Sequence, residues 1–477
     1  MASAIRSYGS CLAVLLALAA LRSPRVIGAS AAPESGGPRW HVVSISSLLP
    51  STVCTAAEAA PSSSAVRVVH RHGPCSPVPP RGDPPSPLDI LDRDQERVDS
   101  IHRKIAGASA AVTTSLSTKA AVTLPTRRGA SLGTNNYVFS VGLGTPARTF
   151  WVELDTGSDL SWVQCKPCND CYEQQDPLFD PARSSTFSAV PCGARECQEL
   201  DSRTCSRDNT CRYEYDYADF SRTDGKLVRD RLTLAASHEI PGFVFGCGDD
   251  DNGTFARTDG LFGLGRAKLS LASQAATRYG AGAGFSYCLP SSASATGYLS
   301  LSAAAPPANA RFTGMVTRSD APSLYFLNLV GVEVAGRKVE IPPAVFATTP
   351  TIIDSGTVFS RLPQPAYDAL RSAFTRAMDQ LRYKRAPALS FLDTCYDFTG
   401  RTRVRIPSVA LVFADGTKLS LGPRGVLYVW SVGQTCLAFV PIGNDTVGIL
   451  GNMQQRTVAV IYDVANQRIG FGARGCS

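Results

Sequence analysis

A short acidic turn, Asp155-Thr156-Gly157-Ser158, recurs in the second half of the chain as Asp354-Ser355-Gly356-Thr357. Each copy follows β-rich residues, Trp151-Val152-Glu153-Leu154 and Thr351-Ile352-Ile353. Each is followed, roughly 100 residues later, by two apolar residues and a glycine, Leu261-Phe262-Gly263 and Ile449-Leu450-Gly451. A repeated unit with its own apolar partner implies two related lobes. A lone copy would say little, because acidic turn residues usually satisfy local backbone donors. Two copies, one per half-chain, can meet in one cleft if the lobes pack about a pseudo-twofold. Two carboxyls that close cannot both ionise easily, so they would hold one proton between them over a broad pH range. The ionised member could then deprotonate a water, and the protonated member could hydrogen-bond the oxyanion formed when that water attacks a carbonyl.

Composition narrows the alternatives. The 477 residues exceed one ordinary domain, and 40 Gly and 32 Pro with only 18% charged residues favour many short strands and turns. Residues 1–120 carry 12 Lys/Arg against 8 Asp/Glu (+4), and residues 121–477 carry 35 against 32 (+3). A body so near neutrality is a poor partner for nucleic acid. Of the 5 histidines, His41, His70, His72 and His102 precede the strand-rich body and only His238 lies within it. Serine or cysteine hydrolysis with a histidine base is therefore unsupported, as is an HExxH zinc site. Carboxylate chemistry needs neither metal nor cofactor.

The chain reads as four segments. Residues 1–31 form a signal peptide: a basic start at Arg6, an apolar run from Cys11 to Leu21, and small residues around Ala29-Ser30-Ala31. The run is too short to cross a bilayer. Its Ala/Ser/Arg-rich, acid-poor character leaves a plastid address as the rival to secretion, with the extracellular space or the vacuole as destination otherwise. Residues 32–127 are Ser/Pro-rich and do not resemble a compact domain. A removable prosegment and a disordered linker fit that composition equally, with Ile90 to Ile105 as a helix and Arg127-Arg128 near the end. Residues 128–310 and 311–477 are the two lobes, all-β apart from helices at Pro365–Leu381 and near Leu269–Arg278. Beyond Cys11, Cys54 and Cys75, twelve of the 15 cysteines lie between Cys165 and Cys476. An even number in an oxidising compartment points to bridges rather than zinc, although Cys165, Cys168 and Cys171 have metal-like spacing. Asn252 and Asn444 head glycosylation sequons.

Beyond the repeated turns, a longer set of motifs resembles the plant, nepenthesin-like branch of the pepsin family. These motifs are Trp162-Val-Gln-Cys165-Lys-Pro-Cys168-Asn-Asp-Cys171, Pro177-Leu-Phe-Asp-Pro, Phe245-Gly-Cys247-Gly, Asp259-Gly-Leu-Phe-Gly-Leu-Gly-Arg266 and Ile449-Leu-Gly-Asn452. The resemblance runs from about Tyr137 to the C-terminus. It implies a bilobal aspartic endopeptidase made as a zymogen, acting on proteins or peptides as a monomer, with Asp155 and Asp354 as the catalytic dyad. Thr156 and Ser355 would bond across the base of the loops around Gly157 and Gly356, and Ser158 and Thr357 would hold the outer carboxylate oxygens. Tyr217 matches the tyrosine of a substrate-covering flap, supported by Trp162. Family spacing implies the pairs Cys165–Cys168, Cys171–Cys247, Cys192–Cys211, Cys197–Cys205, Cys288–Cys476 and Cys395–Cys436. The flap departs from the family's Tyr-Gly-Asp-Gly-Ser: here it reads Tyr217-Ala218-Asp219-Phe220-Ser221. That departure favours the competing reading, a pepsin-like fold used for binding or inhibition.

Overall fold

The computed structural model describes residues 39–476 apart from 50–52, 55–64, 79–86, 114–136, 218–220, 236–237, 254, 256, 281–283, 293, 302–305 and 443–446. The leader, Arg127-Arg128, Asn444 and the flap residues Ala218 and Phe220 lie outside the described residues, as does Thr254 of the Asn252 sequon.

The chain is all-β and bilobal. Tyr137–Leu143 and Arg148–Asp155 form an antiparallel pair in which Val138 faces Glu153. Gly144 turns between them at φ 87°, a left-handed conformation that favours glycine. Gly260–Gly263 runs parallel to the second strand, with Gly263 beside Asp155. The other half repeats the device: Thr351–Ile353 leads into Asp354 and runs parallel to Gly448–Leu450. In each half an acidic turn thus leaves a strand whose neighbour threads beside it, as the repeated sequence pattern requires. The helix Gln364–Asp379 buries Tyr367, Leu370, Phe374 and Met378, the expected stripe. Leu271–Tyr279 supplies the shorter helix.

The lobes share one antiparallel sheet. Its strands run in the order Ala65–His70, Thr296–Ser300, Phe285–Cys288, Val458–Asp463, Arg468–Ala473 and Arg311–Val316. The first of these comes from the Ser/Pro-rich N-terminal region, and it also pairs with Tyr137–Leu143, Val68 facing Phe139. Val68 and Val69 are fully buried there. An earlier strand, Trp40–Ser44, extends a second surface by pairing with Arg403–Pro407. The expected helix is Pro87–Thr113, 27 residues long. The described parts of residues 39–113 are therefore built into the body. The alternation Ala65-Val66-Arg67-Val68-Val69 is the local signal that composition obscured.

Four of the implied cysteine pairs are corrected. The bridges are Cys165–Cys247, Cys168–Cys171, Cys192–Cys205 and Cys197–Cys211, alongside Cys288–Cys476, Cys395–Cys436 and an N-terminal Cys54–Cys75. Burial sorts them. Cys165 and Cys247 both lie in the main core, Cys165 directly after the strand Trp162–Gln164 that runs parallel to the strand of Cys247, with their Cα atoms 5.3 Å apart. Cys197 and Cys211 are both fully buried in a smaller core, whereas Cys192 and Cys205 are not buried. Sequence spacing alone carries none of that information.

Candidate active site

The two acidic turns meet at the base of the cleft between the lobes. Thr156 N–H donates to Ser355 Oγ at 3.0 Å, and Ser355 N–H donates to Thr156 Oγ1 at 2.8 Å. Each carboxylate is then gripped in the same way. Ser158 Oγ donates to Asp155 Oδ2 at 2.6 Å and Gly157 N–H to Asp155 Oδ1 at 3.0 Å. Thr357 Oγ1 donates to Asp354 Oδ2 at 2.6 Å and Gly356 N–H to Asp354 Oδ1 at 2.9 Å. Each Oδ2 takes a hydroxyl of its own turn, and each Oδ1 takes a glycine amide of its own turn. Gly157 is required by close approach: a Cβ there would stand 2.7 Å from Asp354 Oδ1. Behind the second turn, Asn452 Nδ2 donates to the Ser355 carbonyl at 3.0 Å and Gln455 Nε2 to the Asp354 carbonyl at 3.2 Å.

The long helix Pro87–Thr113 brings Arg97 to both carboxylates. Its Nη2 donates to Asp155 Oδ1 at 2.7 Å and to Asp354 Oδ1 at 3.0 Å, while Nε donates to Asp354 Oδ2 at 3.0 Å. All three side chains are buried. Burial alone would raise the Asp354 carboxyl, but the Arg97 guanidinium outweighs it and holds that carboxyl below its ordinary value. Burial likewise opposes the Arg97 charge, and the carboxylates of Asp155 and Asp354 more than restore it.

Two further contacts seat the helix. Apolar side chains at Leu91, Val98, Ile101 and Ile105 enter clusters with C-terminal lobe residues including Phe359, Leu392, Phe326 and Ile449. Between them, Asp94 is fully buried against Arg361, whose Nη2 donates to Asp94 Oδ2 at 2.6 Å. Beside the helix, an open cavity of ≈ 430 Å³ is lined by Gly157, Tyr215, Asp216 and Leu324 together with Ile101 and Lys104 of the helix.

The hairpin of Cys211–Asp216 and Arg222–Ala235 places Tyr217 near its turn, closed by Tyr217 N–H donating to the Ser221 carbonyl at 2.7 Å. Trp162 Nε1 donates to Tyr217 Oη at 2.7 Å. Tyr217, Trp162 and Phe255 pack edge to face, and burial pushes the Tyr217 phenol well above its ordinary pKa. Among the described residues no group of three or more His, Cys, Asp or Glu could hold a metal.

Sequence reasoning singled out the dyad, its hydroxyls and the Tyr217–Trp162 pair, and the structure brings each of these together. It missed Arg97, Asp94 and Arg361. A signal existed: in the stripe Leu91, Asp94, Val98, Ile101, Ile105 a lone carboxylate occupies an otherwise apolar helical face, which requires a buried partner.

Known proteins resemble this chain over most of its length. Residues 137–301 match the family model described as xylanase inhibitor N-terminal, and residues 324–473 match xylanase inhibitor C-terminal. An aspartyl protease family protein of Arabidopsis thaliana is 43% identical over 92% of this chain and 93% of its own. Aspartyl protease AED1 of Arabidopsis thaliana is 40% identical, covering 91% of this chain and 92% of that protein. Aspartic proteinase nepenthesin-2 of Nepenthes gracilis is 37% identical over 72% of this chain and 78% of that protein. Among solved structures, basic 7S globulin from soybean has the same fold at TM-score 0.57, with 21% identity over 72% of this chain and 91% of the other. No helix among the described residues is long and apolar enough to cross a membrane.

Proposed function

The chain belongs to the plant aspartyl protease family of pepsin-like proteins, and from that premise we propose that it is a secreted aspartic endopeptidase held inactive by its own residues 32–127. The observation that carries the proposal is the position of Arg97 Nη2. It bridges the inner oxygens of Asp155 and Asp354 at 2.7 and 3.0 Å, where a nucleophilic water would have to sit.

With the helix withdrawn, a water can take that place. One carboxylate removes its proton as the water oxygen attacks the peptide carbonyl. The other, protonated, hydrogen-bonds the developing oxyanion and then passes its proton to the leaving nitrogen. The Ser158 and Thr357 hydroxyls keep the outer oxygens occupied, so the proton shuttles only on the inner side. In this reading Tyr217, whose hydroxyl accepts from Trp162 Nε1, covers a bound peptide and excludes water. Secretion and precursor processing are supported by the leader and by a disulfide-rich body.

A second reading, a pepsin-like binding protein, is favoured by the altered flap sequence and by the xylanase-inhibitor description of the matching family model. One experiment separates the two. Processed protein is assayed on denatured haemoglobin between pH 2 and 7 beside Asp155→Asn and Asp354→Asn. The peptidase reading expects acid-range cleavage lost in both variants. Absence of cleavage by folded, processed wild type would favour the binding protein.

A further inference from the structure

Arg361, on the strand Ser360–Pro363, is 1% exposed. Its anion is supplied by the helix that covers the dyad. Nη2 donates to Asp94 Oδ2 at 2.6 Å, Nη1 donates to Gln95 Oε1 at 2.7 Å, and the Phe391 ring lies 4.7 Å beneath the guanidinium. Two backbone amides converge on the same carboxylate, Val358 N–H on Oδ1 at 2.5 Å and Phe359 N–H on Oδ2 at 3.4 Å. Val358 and Phe359 continue directly from the catalytic turn that ends at Thr357.

When the helix leaves, as the proposed function requires, these three donors lose their acceptor together. An uncompensated buried guanidinium is costly, so the site must take up another anion or flood with water. We propose that Arg361 and the Val358 and Phe359 amides form a subsite for the side-chain carboxylate of an Asp or Glu in the peptide substrate. Asp94 occupies that subsite in the precursor as Arg97 occupies the dyad. The spacing sets the register. Asp94 and Arg97 share a helix face, about 4.5 Å apart along the axis at 1.5 Å per residue. An extended peptide advances about 3.3 Å per residue, which puts the recognised acid within about two residues of the cleaved bond.

The test rests first on substrate variants, which need no change to the protein. Processed wild type is given neutral peptides carrying Glu or Gln at each of the three positions on either side of the cleaved bond, at pH 5. The subsite predicts one position at which Glu exceeds Gln by about tenfold in kcat/KM, mainly through KM, the lower end for a hydrogen bond to a charged group. The Glu/Gln ratio falls to about one at pH 3, in Arg361→Gln, and is partly restored in Arg361→Lys. Equal rates at every position, or a preference that survives Arg361→Gln, would overturn the subsite while leaving the peptidase reading intact. If no peptide is cleaved, the peptidase reading fails, and the same peptides are titrated onto processed Asp155→Asn protein. Tighter binding of one Glu peptide then sustains the subsite, and equal binding overturns it.

Discussion

At the base of the cleft the lobes are joined by two oppositely directed hydrogen bonds, Thr156 N–H to Ser355 Oγ and Ser355 N–H to Thr156 Oγ1. Thr156→Val keeps the shape but leaves the Ser355 amide unsatisfied in a fully buried site. The expected loss is about 1–3 kcal/mol of stability, read from urea unfolding of the intact chain, with kcat falling more than KM in the processed form. A second buried pair lies further back, where Arg71 meets Glu153 with both side chains 1% exposed. Arg71→Met leaves Glu153 buried without that partner, and the precursor should lose about 3–5 kcal/mol by the same measurement. Replacing an exposed pair, such as Lys384 with Asp397 where the lysine is 80% exposed, should leave the urea midpoint essentially unmoved.

At the scale of elements, the histidines acquire a role that their poverty in the body did not suggest. His41 Nε2 donates to the Leu421 carbonyl at 3.1 Å and His102 Nε2 to the Val447 carbonyl at 2.8 Å. His70 packs on the Tyr137 ring, and its Nδ1 accepts from His72 N–H at 3.2 Å. Burial is the main cause that lowers all four pKa values. Arg456 and Arg71 add to it at His70, taking it to about 3, and Arg71, His70 and Arg93 add to it at His72. The carbonyl contacts partly offset it at His41 and His102, where Asp99 also opposes and Arg361 reinforces the shift at His102. Undocked imidazoles titrate near pH 6.5, so the released segment binds more protons than the docked one below that value. The histidine contribution to docking is therefore fully present above about pH 6.5 and is lost as pH falls, His70 alone contributing about 1.4 kcal/mol per pH unit between about 6.5 and 3. His70→Phe and His102→Gln should shift the midpoint of acid release downwards, followed by protease sensitivity of the helix between pH 7 and 4. An unmoved midpoint would assign release to the carboxylates alone.

The same elements show what was legible in the sequence. The strands leading into Asp155 and Asp354 were readable because each repeats a local pattern whose chemistry fixes its geometry. The helix was expected as a short charged segment from Ile90 to Ile105, but its full length, Pro87–Thr113, and its destination were not. Arg97 meets Asp354 across 257 residues of chain, a contact that only the closed cleft creates. The cysteine pairing failed for a related reason, because partners are sorted by burial rather than by separation.

Taken as one molecule, the N-terminal region meets the body through several elements at once: a strand on the Arg403–Pro407 edge, a strand inside the shared sheet, and a helix over the dyad. Among the described residues no disulfide joins this segment to the body, since Cys54 pairs with Cys75 inside it. A cut within residues 114–136 should therefore leave two chains that co-elute on gel filtration at pH 7 and separate near pH 4. The central claim, that the carboxylate dyad is a peptide site closed by Arg97, is tested most directly by titrating a statine-containing peptide inhibitor onto precursor and processed protein side by side. Calorimetry from pH 6 to 4 should give binding to the processed form and affinity about 100-fold weaker or worse for the precursor at pH 6, the gap narrowing towards pH 4. Equal affinity of the two forms at pH 6 would contradict it.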